Sequence, residues 1–176
     1  MVILCSLPLA AYSTGDDSHH GKFGLGINMN LQPQDLEMDF YPGFHIRLRF
    51  NETIGIAAEL NIRSDSTEFT VADITSQPVS FMLMYFLLPK SVLGIYVLGG
   101  VTFTKPSVEY TDVPGPSEEE GEWEQGLFGG LGLEIAASPN LVIHGEIRYI
   151  DLDFAILDFD VDYSGLNYSI GISYYL

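Results

Sequence analysis

The chain has 176 residues, which is the size of one domain with a buried core. It carries 24 acidic against 7 basic residues, and this balance argues against nucleic-acid binding, because a phosphate backbone is held by a basic surface. With 47% apolar residues, the chain is also too hydrophobic to be a disordered acidic segment.

The first thirteen residues, MVILCSLPLAAYS, contain no charge and end in small residues. They predict that residues 1–14 are the remainder of a secretory signal peptide and that 15–21 are a polar tail. A buried first strand is the alternative, but Pro8 interrupts the run. Cys5 is preceded by Leu4, where a lipoprotein signal has a small residue, so we do not expect lipid attachment.

From residue 22 to 176, apolar and polar residues alternate with a period of two, which predicts β-strands. The alternating segments are 23–31, 44–51, 54–63, 81–88, 92–104, 127–135, 141–149 and 166–176. Two are less regular. Segment 81–88 is apolar on both faces, and in segment 92–104 only Thr102 and Thr104 indicate which face is polar. Strands of roughly ten residues have the length that a tilted strand needs to cross a bilayer.

Short and long connections alternate strictly along the chain. The short turns are 51–53, 89–90 and 137–140, and the long polar segments are 32–43, 64–78, 105–122 and 151–162. Most acidic residues lie in the long segments, where Lys105 is the single base, whereas all four arginines lie on the polar faces of strands. This pattern predicts an all-β protein, an eight-stranded antiparallel up-and-down transmembrane β-barrel with short periplasmic turns and long extracellular loops. Because every backbone group needs a partner in lipid, the last strand must pair with the first.

The final segment SIGISYYL resembles the C-terminal assembly signal of bacterial outer-membrane proteins, with Ser169, Gly171, Tyr174 and Leu176 at the matching positions. It departs from that pattern by having Leu where Phe or Trp is usual. Residues 130–150 are similar to a glycine-rich strand, turn and polar-alternating strand of the small outer-membrane β-barrel family, which includes the OmpA, OmpX and OmpW type. The resemblance covers residues 22–176. It implies a place in the outer membrane of a Gram-negative cell envelope, with the lipid bilayer, its lipopolysaccharide and the assembly machinery as partners.

The polar faces of the strands predict a charged network inside the barrel. Its members are Arg47, Arg49, Glu59, Arg63, Glu134, His144, Glu146 and Arg148. We favour a filled lumen in which these charges satisfy one another, because an eight-stranded barrel is just wide enough for side chains. A gated polar conduit lined by the same residues is the alternative. A further question is whether Met82, Met84, Phe86, Tyr96 and Leu98 line a continuous apolar pocket.

We expect no enzymatic activity and no cofactor. His45 is placed near the outer rim and His144 near the periplasm, so the two should not share a site, and no motif supplies a nucleophile. Calcium is conceivable at the glutamates around Trp123, in residues 117–124, or at Asp158, Asp160 and Asp162, but the spacing is not that of a calcium loop and acidic runs are usually solvated. We therefore predict no metal site. The three aspartates fall on the side of the strand that would face lipid, so they should lie beyond the membrane. The alternative is a β-bulge that reverses the alternation before them.

The sequence leaves three hypotheses for the function. The first is an outer-membrane barrel with a largely filled polar lumen and a structural or surface-interaction role through its acidic extracellular loops. The second is a narrow channel for small or hydrophobic solutes, as in OmpW. The third, more remote, is a soluble ligand-binding barrel of the lipocalin type, which would turn its apolar face inward.

Overall fold

The structure is a computed structural model that describes residues 22–34, 37–66, 72–88, 93–110, 118–156 and 159–176. The expected signal remnant and tail, the turn at 89–90 and Asp158 lie outside these residues. Every regular element in the described part of the chain is a β-strand. Those residues form no helix of the length and hydrophobicity needed to cross a membrane.

Eight long strands form a closed antiparallel barrel. They are β1 (Phe23–Gln34), β2 (Glu37–Arg49), β3 (Ile54–Asn61), β6 (Val79–Phe86), β7 (Leu93–Thr104), β10 (Glu124–Ala136), β11 (Leu141–Asp151) and β14 (Gly165–Tyr175). Each strand pairs with its neighbours along the chain, so the topology is up-and-down, and the predicted fold class is confirmed. We call the end of the barrel with the short turns the turn end and the opposite end the loop end.

The first and last strands close the barrel along most of their length. Their register runs from Gly24 opposite Tyr175 to Leu31 opposite Tyr168. The backbone of the final residue is paired as well, since Leu176 N donates to Phe23 O at 2.9 Å. The expected pairing of the two strands is therefore confirmed, and the closed sheet leaves no free edge in the hydrocarbon.

Side chains follow the predicted parity on all eight strands. The apolar residues point outward, for example Leu131 at 59% exposure and Ile170 at 64%. The residues of the polar face point inward. Exposed and buried residues also alternate along most of β6 and β7, where the sequence pattern was weak. An apolar outside and a polar inside contradict the lipocalin reading, which needs the opposite arrangement.

The long connections contain more strand than the sequence predicted. The segment 32–43 was expected to be a loop, but β1 and β2 continue through it and are paired up to Gln34 and Glu37. Six shorter strands lie in the other long connections: β4 (Arg63–Ser66), β5 (Ala72–Ser76), β8 (Pro106–Tyr110), β9 (Glu118–Glu120), β12 (Asp153–Ile156) and β13 (Phe159–Asp162). They form a four-stranded sheet, β4–β5–β8–β9, and a separate hairpin, β12–β13. These extensions escaped prediction because their sequences are rich in polar and acidic residues and show no regular apolar period.

Candidate functional site in the barrel lumen

The residues predicted to form the polar network all lie on inward positions and are buried. Arg47, Arg49, Arg63 and Arg148 are each less than 10% exposed, and so are Glu59, Glu134, Glu146 and His144. The structure brings most of them into direct contact, at three levels of the barrel.

Glu146 is the centre of the middle level. Its Oε1 accepts hydrogen bonds from Arg47 Nη2 and from the Tyr96 hydroxyl, both at 2.6 Å. Its Oε2 accepts from Arg148 Nε at 2.7 Å, and Arg148 Nη2 also contacts it. Arg148 Nη2 donates to Glu59 Oε2 as well, at 2.7 Å. Two arginines and two glutamates from the three strands β2, β3 and β11 are thus joined across the lumen.

Near the turn end, Arg49 Nη1 donates to Glu134 Oε1 at 2.7 Å. The Arg49 guanidinium also lies over the Phe86 ring, 3.7 Å from its centroid. A guanidinium in this position is stabilised both by the carboxylate and by the negative face of the ring.

Near the loop end, Arg63 Nε lies 2.8 Å from Asp39 Oδ2, and Arg63 Nη1 donates to Gln32 Oε1 at 3.1 Å. The Arg63 guanidinium also stacks on the Tyr163 ring at 3.9 Å. Asp39 was missed from the sequence because it fell in a segment assigned to a loop. The odd-numbered residues of β2 point into the lumen, and continuing this alternation past Tyr41 would have identified Asp39.

The arginines and carboxylates of these pairs balance. Four inward arginines contact four carboxylates, those of Asp39, Glu59, Glu134 and Glu146. Removing a carboxylate from such a pair leaves a buried charge without compensation, which is strongly destabilising. The charges of the described ion pairs therefore cancel within the lumen.

The expected separation of the two strand histidines is wrong. The rings of His45 and His144 meet edge to face, with centroids 4.9 Å apart. The error came from starting the second strand at residue 44, whereas β2 begins at Glu37 and places His45 well inside the barrel. Gly26 makes room for this ring, because a Cβ there would overlap the His45 imidazole and the Ile172 carbonyl oxygen.

His45 also lies between a hydroxyl and an amide. Its Nε2 is 2.8 Å from Ser173 Oγ, and its Nδ1 is 3.3 Å from Asn28 Oδ1. A serine, a histidine and a third polar group in this order form the catalytic unit of many hydrolytic sites, where the serine must be open to a substrate. Here Ser173 is 0% exposed, so the chain of contacts orients buried groups and offers no surface for attack on a substrate.

The other side of the lumen is apolar. Met82, Met84, Phe86, Tyr96 and Leu98 pack with Ala57 and Phe128 into one buried cluster. Tyr96 joins this cluster to the charged network through its hydroxyl bond to Glu146. The apolar residues that the sequence singled out are therefore packed against one another and against the charged network.

The acidic candidates at the loop end are only partly described. Glu118–Glu120 form strand β9, and Asp160 and Asp162 lie in strand β13, outside the barrel wall. The described residues contain no group of three or more side chains arranged to hold a metal ion. Trp123 is 62% exposed between Glu122 and Glu124.

A closed antiparallel barrel with an apolar outer surface and an ion-paired interior is an integral membrane β-barrel. The family model of the outer membrane protein beta-barrel domain matches residues 2–175, and the chain belongs to that family. The protein is accordingly located in the bacterial outer membrane, in its lipid bilayer.

Solved structures of similar fold include three small outer-membrane proteins. Neisserial surface protein A has a TM-score of 0.67 at 15% identity, covering 87% of this chain and 95% of its own. OprG of Pseudomonas aeruginosa has a TM-score of 0.64 at 18% identity, with coverage of 91% and 98%. Ail, the attachment invasion locus protein of Yersinia pestis, has a TM-score of 0.53 at 17% identity, with coverage of 89% and 99%. A search of curated proteins finds no match. Barrels of this kind are generally structural or channel proteins and not enzymes.

Proposed function

We propose that the protein is a non-enzymatic, non-conducting outer-membrane barrel whose lumen is occupied by its own side chains. Its role is structural or depends on surface interactions through the acidic loops. The observation that carries the proposal is the succession of contacts along the lumen. It runs from the Arg49–Glu134 pair, through Glu146, to Arg63 under Tyr163.

Ions would find no continuous path through such an interior. The cavity between the middle level and the loop end has a volume of about 30 Å³, which corresponds to roughly two water molecules. Because the arginines of the described ion pairs are neutralised by carboxylates, the lumen as a whole carries no excess charge that would draw ions through it. An ion would have to displace buried pairs that depend on one another.

The loop end supplies the surface for the proposed role. Asp151, Asp153 and Glu122 are exposed there, and so is the ring of Trp123. Such a surface suits contacts with lipopolysaccharide or other surface polysaccharide bridged by divalent cations, since hard cations take oxygen ligands. On the last strand, Ser169, Gly171, Tyr174 and Leu176 are proposed to serve as the signal read by the outer-membrane assembly machinery.

The experiment is planar-bilayer conductance of the refolded protein, with folding verified by a heat-dependent gel shift. We expect the wild type to be electrically silent. A double variant, Tyr96→Ala with Phe128→Ala, removes two inward rings and should give discrete conductance steps. Leu127→Ala with Leu131→Ala, on the lipid face of the same β10 strand as Phe128, is the matched control and should remain silent. Reproducible steps from the wild type would refute the closed lumen.

A channel for small hydrophobic solutes is the second candidate, and the apolar cluster around Met82, Met84 and Leu98 is the observation that favours it. Such a solute could cross without carrying current, so conductance does not test it. Uptake of a small fluorescent hydrocarbon by vesicles that contain the refolded barrel does. Uptake no faster than in empty vesicles supports the closed barrel. Faster uptake that falls on Met84→Trp would favour the channel.

A further inference from the structure

The cavity near the loop end has an unusual lining. Its volume is about 30 Å³, and it lies below Leu152 and Tyr163. Arg63, Arg148, Tyr41 and Thr102 are among the residues that line it, together with Ser80, three amide side chains and several apolar residues. Among the described residues that line this cavity, none is acidic.

The carboxylates that pair with the two arginines lie away from the cavity. Arg63 is held by Asp39, and Arg148 is held by Glu59 and Glu146, all outside the lining. The arginines are thus fixed by ion pairs on one side and border the cavity on the other. Paired guanidinium groups still have N–H donors in several directions, since each carries five.

The two hydroxyls also have hydrogens to donate. The Ser80 and Thr102 hydroxyl oxygens lie 3.1 Å apart, so one hydroxyl donates to the other and the second keeps a hydrogen beside the cavity that both residues line. Asn167 Nδ2 donates to the Tyr41 oxygen at 2.7 Å, which likewise leaves the Tyr41 hydrogen available. The described lining therefore offers two cationic side chains and several hydrogen-bond donors, beside amide and apolar groups, and contains no carboxylate.

Tyr163 closes the cavity toward the loop end. Its ring stacks on Arg63, and its backbone oxygen accepts a hydrogen bond from Gln32 Nε2 at 2.7 Å. The chain turns here from the β12–β13 hairpin into β14, where Gly165 has φ +145°, a backbone conformation that L residues rarely adopt. Leu152 completes the closure through its backbone oxygen, which accepts from Tyr163 N at 2.8 Å.

We propose that this cavity is a binding site for one small anion, of the size of chloride, bromide or formate, held by Arg63, Arg148, Tyr41 and Thr102 under Tyr163. The volume accommodates such an ion or about two waters, and it is too small for sulfate. The proposal goes beyond the closed-barrel function and does not depend on it.

The first test is a crystal of the folded barrel grown in sodium bromide. An anomalous peak inside the cavity, in contact with Arg63 or Arg148, is the expected result. A cavity that contains only ordered water at high bromide concentration would overturn the proposal.

The second test is thermal unfolding of the full chain in detergent at constant ionic strength, with bromide replacing sulfate. An anion that binds the folded state raises the unfolding temperature in a saturable way. Thr102→Val removes a donor at nearly constant volume and should raise the half-saturating bromide concentration about tenfold. Thr104→Val is the matched control, because Thr104 is the next inward residue of β7 and lies outside the lining. Equal bromide dependence of the two variants would contradict the assignment.

Discussion

Replacing Glu146 with Gln tests whether the middle level of ion pairs supports the barrel. The change keeps the shape of the side chain and removes its charge. Arg148 keeps Glu59 as a partner, whereas Arg47 loses the carboxylate at 2.6 Å. Breaking a buried ion pair by removing one partner costs about 3–5 kcal/mol, so we expect Glu146→Gln to lower the free energy of unfolding by about that amount.

The assay is equilibrium unfolding by urea in lipid vesicles, followed by circular dichroism and by gel mobility. Tryptophan fluorescence is a poor probe of this barrel, because Trp123 is the single tryptophan and is exposed at the loop end. Glu122→Gln makes the same chemical change at an exposed position and should shift stability by less than about 0.5 kcal/mol.

A compensating substitution makes the test sharper. Arg47→Met on the Glu146→Gln background removes the cation that the first change left unpaired. The double variant should therefore be at least about 1 kcal/mol more stable than Glu146→Gln alone. A loss below about 1 kcal/mol for Glu146→Gln, with an unchanged urea dependence, would show that these charges do not stabilise the fold in the way argued.

Three further predictions concern other parts of the barrel. Leu176→Asp puts a charge on the lipid face beside the closing strand and should reduce the folded fraction in outer membranes. The control Leu176→Phe should not reduce it. Normal levels of the Asp variant would contradict the role of the terminus. Gly132→Ala would place a methyl group in a buried tyrosine ring and should cost about 1–3 kcal/mol, while Gly145→Ala, which meets its nearest atom at 3.7 Å, should be nearly neutral in the same urea assay. A double-mutant cycle of His45→Gln and His144→Gln should give a coupling of about 0.5–1.5 kcal/mol, and additive effects would mean that the rings are not in contact.

The sequence was sufficient to predict whether each side chain of a barrel strand points outward to lipid or inward to the lumen. The outward face of a membrane barrel meets hydrocarbon and the inward face meets polar side chains, so a period of two assigns each residue to one side. This assignment held for the arginines and glutamates of the lumen and for the irregular strands β6 and β7. Strand number and closure followed from the alternation of short and long connections.

The extent of the strands at the loop end was not available from the sequence. Asp39 and the shorter strands lie in segments rich in polar and acidic residues, and there the sequence shows no regular hydrophobic period although backbone pairing continues. The pairing of Arg63 with Asp39 depends on this extension of β2.

The side of each strand that faces the lumen follows from the order of amino acids, because the alternation involves only neighbours along the chain. The contacts among the inward residues depend on the closed barrel. Arg47 and Glu146 are 99 residues apart, and His45 touches His144, because the tilt and stagger of the closed sheet set the height of each inward residue. No local pattern encodes that height, since it is fixed only when all eight strands are paired.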